Sequence, residues 1–447
     1  MNKYTTSLLL ALITIANCYS QANISPAAKQ TKTIAITGAT IHVGNGTVIE
    51  NGTIIFSAGK IISVSSNGQG NGQGDVKGNG QAPKDDVLVI KANGKHVYPG
   101  FIAPITNLGL AEFASVKATL DFTEIGNFNP HIRSIVAYNT DSKVPATLRS
   151  NGILMAQITP EGGTISGSSS VVQLDAWNWE DAAVKVDDAM HINWPVTPRS
   201  RGYGARQLQS AEVLLEQKQN AIAALDQFFA EAKGYSMLVK PTVTNSRFAA
   251  MKSLFQGKQQ LFITADTQKD IVAAVNLAKK YKITPVIIGG TEAYLLVDFL
   301  KENNIAIVVR QPHALPGNTD DDVNMPYKNA ALLANAGINV IVSIEGYWQQ
   351  RNLPFMAGTV AAWGLDKEKA LSTITLNTAR ALGIDKTCGS LEAGKDATLL
   401  ISTGDALDMK TNHIEKAYIQ GRDINLDNLH KQLDRKFSEK YGMKVTD

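Results

Sequence analysis

Residues 31–66, TKTIAITGATIHVGNGTVIENGTIIFSAGKIISVSS, alternate apolar and polar side chains between Gly-Asn turns. A period of two predicts short antiparallel strands with one buried face. The alternation stops at Ser66–Asp86, a Gly/Asn/Gln tract too poor in apolar residues to pack, which reads as a flexible loop. It resumes in VLVIKANGKHVYPG. From Leu261 the rhythm changes: LFITAD precedes TQKDIVAAVNLAKKY, TPVIIGG precedes TEAYLLVDFLKENN, IAIVVR precedes YKNAALLANAG, and NVIVSIEG precedes NLPFMAGTVAAWGL and KEKALSTITLNTARALG. Short β-branched runs alternating with amphipathic helices predict parallel strands with right-handed crossovers.

With strand candidates at FIAPI and ILMAQI leading a weaker first half, these units predict an α/β fold, a (β/α)8 TIM-like barrel over 97–388. Alternation returns after Gly389, so 31–96 and 389–425 would together form a small composite β-sandwich domain. In 426–447, Leu426, Leu429, Leu433, Phe437 and Tyr441 recur at helical spacing and predict a closing helix with one packed face.

The first residues, MNKYTTSLLLALITIANCYSQA, follow the order of a secretory signal, which assigns 1–20 to export and the mature chain to the periplasm. The same run resembles a lipoprotein signal in which Cys18 would carry the lipid, with Asn17 where a small residue is usual. The chain has 2 cysteines, so loss of Cys18 leaves Cys388 without a disulfide partner and rules out a cysteine-rich zinc site. No other run has membrane-spanning length. The 447 residues are 44% hydrophobic and carry 43 basic against 40 acidic groups, a balance that points to no nucleic-acid partner.

The stretches ATIHVGNGTVIENGTIIFSAGKIISV, YPGFIAPITNLGL and RNLPFMAGTVAAWGLDKEKALSTITLNTARALGIDKTCGSLEAGKDATLLI resemble the amidohydrolase superfamily, in particular imidazolonepropionase-like secreted members. The T-x-N-x-A and G-S-L-x-x-G-K-D-A spacings are the most specific part. The resemblance implies metal-dependent hydrolysis of a C–N bond, with His-x-His ending the first strand, single histidines after the fifth and sixth, and an aspartate after the eighth. The matching positions here are Ile105 and Asn107, Thr264, about Gly289, and Glu345. Zinc favours imidazole, thiolate or carboxylate, so of these only Glu345 is a fitting donor. The bridging lysine of binuclear members has no clear counterpart.

Asp266 and His313 are the weak substitutes for zinc ligands. Asp266 can equally cap the helix beginning at Thr267, His313 can be a hydrogen-bonded loop residue, and Glu345 can pair with Arg310 or Arg351. His42 falls in the sandwich, and His131 and His191 in connecting segments. Pro160–Lys185 joins a Gly/Ser loop to Trp177 and Trp179, whose i, i+2 spacing would put both on one face of an extended segment, against a ligand, a subunit or the barrel. The Gly/Ser run lacks the Gly-Lys-Ser/Thr of a phosphate loop. Two functions follow: an amide or dipeptide-like C–N hydrolase with an altered metal site centred on Glu345, or a catalytically silent homologue that binds a small amide-type molecule or assembles with a metal-bearing relative or a second copy.

Overall fold

The computed structural model describes residues 26–66, 87–196, 210–317 and 320–444. Residues 1–20, read from the sequence as an export signal, Cys18 and all but the first residue of the Gly/Asn/Gln tract lie outside these. Both chain ends contribute to one eight-stranded sheet: β1 (Thr33–His42), β2 (Val48–Ser57), β3 (Lys60–Ser66), β4 (Val87–Lys91) and β5 (His96–Pro99) join β14 (Leu399–Ser402), β15 (Ile414–Ile419) and β16 (Arg422–Asp423). The order is β16-β15-β14-β5-β1-β2-β3, with β4 paired to β1. The composite domain is therefore a single continuous hydrogen-bonded sheet. Its alternating apolar residues, Ile36, Ile41, Ile54, Phe56, Leu399 and Tyr418, share one core.

The second sheet is the barrel: β6 (Phe101–Thr106), β7 (Ile153–Ile158), β8 (Ile165–Gln173), β9 (Ala183–Asn193), β10 (Gln260–Ala265), β11 (Val286–Gly289), β12 (Ala306–Val309) and β13 (Val340–Val342), in chain order. The four units from β10 onward are parallel, as their alternation with helices predicts. The first half departs from an all-parallel pattern, because β8 runs antiparallel to both β7 and β9. The connections explain it: a parallel neighbour needs a crossover of a dozen or so residues, and the links on either side of β8 are too short for one. The supposed Gly/Ser loop is thus barrel wall, with all nine residues of β8 buried.

No ladder joins β13 to β6. The seam is filled by backbone between two helices, Lys367–Ser372 and Leu376–Leu382: the Ile102 amide donates to Ile374 O at 2.9 Å and the Val342 amide to Thr373 O at 3.3 Å. Residues two apart on a strand share a face, which sorts the barrel into two cores. Met155, Val171, Phe262, Val308 and Ile341 fill the interior. Leu261, Ile263 and Ile307 face the surrounding helices, where Ala274, Val275 and Leu333 meet them.

Two further expectations are corrected. Trp177 is exposed and Trp179 opens a short helix, Trp179–Ala182, capped by Asn178, so the pair does not share an extended face. Both follow the end of β8 that pairs with the start of β7, away from the mouth where the parallel strands end. The helix Leu429–Tyr441 forms, but Leu429, Leu433, Phe437 and Tyr441 remain exposed along it. Its contacts include His430, which stacks on Trp348 at 5.4 Å, and Ser438, the one residue of the helix that is buried.

Cys388 is a free, buried thiol, and burial pushes its pKa up to about 11. Among the described residues no helix is long and apolar enough to cross a membrane.

Barrel and composite domain are stapled by a buried carboxylate. Asp175 accepts from Arg149 Nη1 at 2.5 Å, from Arg422 Nη1 at 2.9 Å and from the Ala27 amide at 2.9 Å, with 3% of its side chain exposed. Removing one partner of such a network strands the others in a low-dielectric site. Asp175→Ala is expected to lower unfolding free energy by about 3–5 kcal/mol, measured by urea denaturation, with Asp175→Asn retaining part of the loss.

Candidate functional site

The mouth lies where β10, β12 and β13 end. Arg310 directly follows β12, and its side chain reaches to both sides. Nε and Nη2 donate to Asp266 Oδ1 and Oδ2 at 3.3 and 3.1 Å, and Nη1 donates to Glu345 Oε1 at 2.7 Å. Burial pulls the guanidinium pKa down, but hydrogen bonds and charge from Asp266 and Glu345 outweigh it, and the net shift is upward. The cation is permanent at any working pH.

Asp266 is therefore an ion-pair partner rather than a helix cap. Thr267 caps the helix Gln268–Lys280, its hydroxyl accepting from the Asp270 amide. Glu345 is the carboxylate that pairs with Arg310, and its loop is fixed from the opposite side of the barrel seam. Thr106 Oγ1 at the end of β6 donates to Gly346 O at 3.2 Å, and buried Gln350 Nε2 donates to Ile344 O and Gly346 O at 2.6 and 2.8 Å. Gly346 has φ +82°, and a Cβ there would stand 2.4 Å from Gln349 Oε1. The turn that presents Glu345 needs glycine.

The positions that the family resemblance equates with histidines have other roles. Ile105 has φ +48°, rare for a β-branched residue, and lies in a register shift between Ala103 and Thr106. Ile105 and Asn107 are thus not two side chains on one face of a regular strand. Asn107 Nδ2 donates to Glu161 Oε1 at 3.2 Å, and Asn107 Oδ1 is buried with no partner among the described residues. Thr264 is half-buried on β10 and pairs across the ladder with Ile288 and Asn193. Gly289 has φ +98°, and a Cβ there would come within 2.4 Å of Asp266 Oδ1, so any ligating side chain would displace the ion pair.

His313 does not join the mouth. It is exposed, Nε2 lies 2.9 Å from Thr359 Oγ1 on the helix Leu353–Ala362, and its ring packs against Tyr327. Among the described residues no group of three or more His, Cys, Asp or Glu side chains could hold a metal ion. The donor chemistry does not fit zinc: no imidazole faces Asp266 or Glu345, and both carboxylates already bind a fixed cation.

Two features escaped the sequence. Glu161, just past β7, accepts from Asn107, and partial burial together with the negative charge of Glu345 raises its pKa. The only hint was an acid shortly after an apolar run, ILMAQITPEGG. The second is a polar network inside the barrel. His191 is on β9, not in a connection, and its ring stacks on Phe262. Ser169 Oγ lies 2.9 Å from His191 Nε2 and donates to Asp188 Oδ1 at 2.8 Å, while Gln157 Nε2 donates to Asp188 Oδ2 at 2.8 Å. Gln157 Oε1 in turn accepts from the strained Ile105 amide at 3.3 Å, so the network supports the floor of the mouth. Burial pushes the Asp188 pKa up to about 6 and His191 down to about 3, leaving a neutral imidazole. His42 Nδ1 lies 2.7 Å from Glu368 and its ring stacks on Tyr98, and His131 is in a turn, its Nδ1 buried with no hydrogen-bond partner among the described residues.

With this geometry in view, comparisons assign the family. The sequence profile described as "Amidohydrolase family" matches residues 300–424. The chain is 25% identical over 389 residues to the imidazolonepropionase of Symbiobacterium thermophilum, covering 79% of this chain and 84% of that one. It is 27% identical over 191 residues to the imidazolonepropionase of Flavobacterium psychrophilum, covering 36% of this chain and 45% of that one, less than half of that relative's length. An amidohydrolase structure from Thermotoga maritima superposes with TM-score 0.72 at 20% identity over 88% of this chain and 99% of that one. A molinate hydrolase superposes with TM-score 0.54 at 14% identity over 89% and 95%. Residues 300–424 match the amidohydrolase family and most of the chain is similar to imidazolonepropionases, which together support membership of the amidohydrolase superfamily, and the fold is that of a TIM-like barrel with a composite β domain.

Asp188 makes folding stability depend on pH. Its folded pKa of about 6 lies above its ordinary value of 3.8, so the contribution is full below pH about 4 and is lost as pH rises through about 6. Relative to Asp188→Asn, the wild type is expected to lose up to about 3 kcal/mol between pH about 4 and about 7. Denaturant titrations at both ends measure this, and a constant difference would show that Asp188 does not titrate there.

Proposed function

We propose that this chain is an amidohydrolase homologue whose barrel mouth binds a small amide-type molecule without metal-dependent hydrolysis. The observation that carries this reading is Arg310, which occupies both mouth carboxylates. A divalent ion would have to displace a guanidinium held by three hydrogen bonds, with no imidazole to compensate. The binding half rests on Asn107: its buried, unpartnered Oδ1 is an acceptor for a ligand N–H, and Glu161 beside it can carry a proton. Trp177 and Trp179 have no part in this site. The proposal extends to an exported, periplasmic protein working beside a metal-bearing relative or a second copy.

The competing reading is hydrolysis of an amide C–N bond centred on Glu345, with zinc in a rebuilt site. It is favoured by the similarity to imidazolonepropionases.

Elemental analysis combined with zinc titration of the purified chain separates the two. The expected result is no stoichiometric zinc in the wild type, no turnover of cyclic amides or dipeptides, and no effect of Glu345→Gln on either. Stoichiometric zinc with turnover that Glu345→Gln abolishes would overturn the silent reading. For the binding half, Asn107→Leu is expected to weaken capture of an amide-type ligand by about tenfold, followed by calorimetry across a panel of cyclic amides and dipeptides. A panel that binds nowhere would remove that half.

A further inference from the structure

The near-neutral total charge conceals a local imbalance. From Ala232 to Ala265 the chain carries Lys233, Lys240, Arg247, Lys252 and Lys258 and not one acidic residue. This segment runs from the last turn of the helix Ala211–Ser236 through a loop and two short helices, Ser246–Ala250 and Lys252–Phe255, and includes β10. The part before β10 therefore lies at the end of the barrel where the parallel strands begin, opposite Asp266, Arg310 and Glu345.

The same loop exposes its apolar side chains. Met237 is 71% exposed, Leu238 50%, Val243 78%, and Val239 is fully exposed. Four large apolar side chains within seven residues of a loop, with Lys240 among them, are out of place on a surface that faces only water. A cavity of ≈ 750 Å³ beside the loop is lined by Met237, Lys233, Phe255, Lys280, Tyr281 and Lys282. Lys233 Nζ stands 5.0 Å over the Phe255 ring. The acids nearest in sequence to the loop are engaged: Asp226 pairs with Lys280 and accepts from Tyr281, and Glu231 accepts from Gln227.

We propose that this loop docks the protein on an anionic phospholipid bilayer, with Met237, Leu238, Val239 and Val243 entering the headgroup boundary and Lys233, Lys240 and Lys282 meeting the phosphates. Apolar tips ringed by lysine are the chemistry of an interfacial anchor, in which modest apolar burial adds to attraction for anionic lipid. A nucleic acid would meet the lysines but leave the aliphatic tips without a role, and a purely apolar partner would leave the lysines desolvated. Docked this way, the protein turns its barrel mouth away from the membrane. The inference is independent of what the mouth binds.

The test is co-sedimentation of the full chain with vesicles of equal parts phosphatidylglycerol and phosphatidylcholine, against pure phosphatidylcholine. Sedimentation with the anionic vesicles alone is expected, with release as salt rises from about 0.05 to about 0.5 M. Lys240→Gln should weaken binding about fivefold, and the pair Leu238→Asp with Val239→Asp should abolish it. These side chains are exposed, so near-UV circular dichroism of the variants should match the wild type. Phe437→Asp, on the exposed face of the C-terminal helix, serves as the control and should bind normally. Equal binding to neutral vesicles, no binding to anionic ones, or loop variants that sediment like the wild type would each overturn the proposal. So would sedimentation velocity showing that the loop instead joins two copies of the chain, with vesicle binding absent.

Discussion

Arg310 donates to Asp266 and Glu345 from the end of β12, so one guanidinium is shared by two carboxylates and ties together the ends of three barrel strands. Much of the local structure is consistent only with that arrangement. Gly289, at φ +98°, has the Asp266 carboxylate where a Cβ would stand, and Gly346 is held at φ +82°, a conformation that favours glycine. Thr106 and Gln350 hold that loop through its carbonyls, linking the first strand of the barrel to the last across a seam that no strand ladder closes. The ion pair is at once the electrostatic content of the mouth and part of its closure.

A polar layer underneath stabilises the same region by other means. Gln157, Ser169, Asp188 and His191 exchange hydrogen bonds in the barrel interior, below a mouth that is itself polar and above a packed apolar floor. A buried carboxylate without a direct cation favours its neutral form, which is why Asp188 titrates high while Asp266, beside Arg310, has a full counter-charge. The positive φ of Ile105 is maintained from this layer, through its amide and Gln157. Strain at the mouth is thus borne by hydrogen bonds made deeper in the barrel.

The two ends of the barrel carry different chemistry. One presents two carboxylates sharing a single guanidinium, an Asn107 oxygen without a partner among the described residues, and Glu161, whose pKa is raised; the other presents lysines around aliphatic loop tips. Between them, the Arg149–Asp175–Arg422 staple holds the composite domain to the barrel wall, and with it the chain near Ala27.

Periodicity alone carried the parallel half of the barrel, since β-branched runs before amphipathic helices have one efficient way to bury both faces. It also carried the composite origin of the second sheet. What it missed depended on partners far apart in the chain. A Gly/Ser run reads as loop by composition, and only the short connections beside β8, closing on buried neighbours, make it barrel wall. Asp266 next to a helix start has the local signature of a cap, but Arg310, 44 residues on, pairs with its carboxylate in two hydrogen bonds, and Thr267 supplies the cap. The stripe from Leu429 to Tyr441 predicted a helix correctly, whereas whether that helix finds a surface to cover is settled by tertiary neighbours, and most of this one does not. Local pattern determines which segments become helix or strand; which charges meet, and which apolar faces stay open, is decided only when distant segments converge.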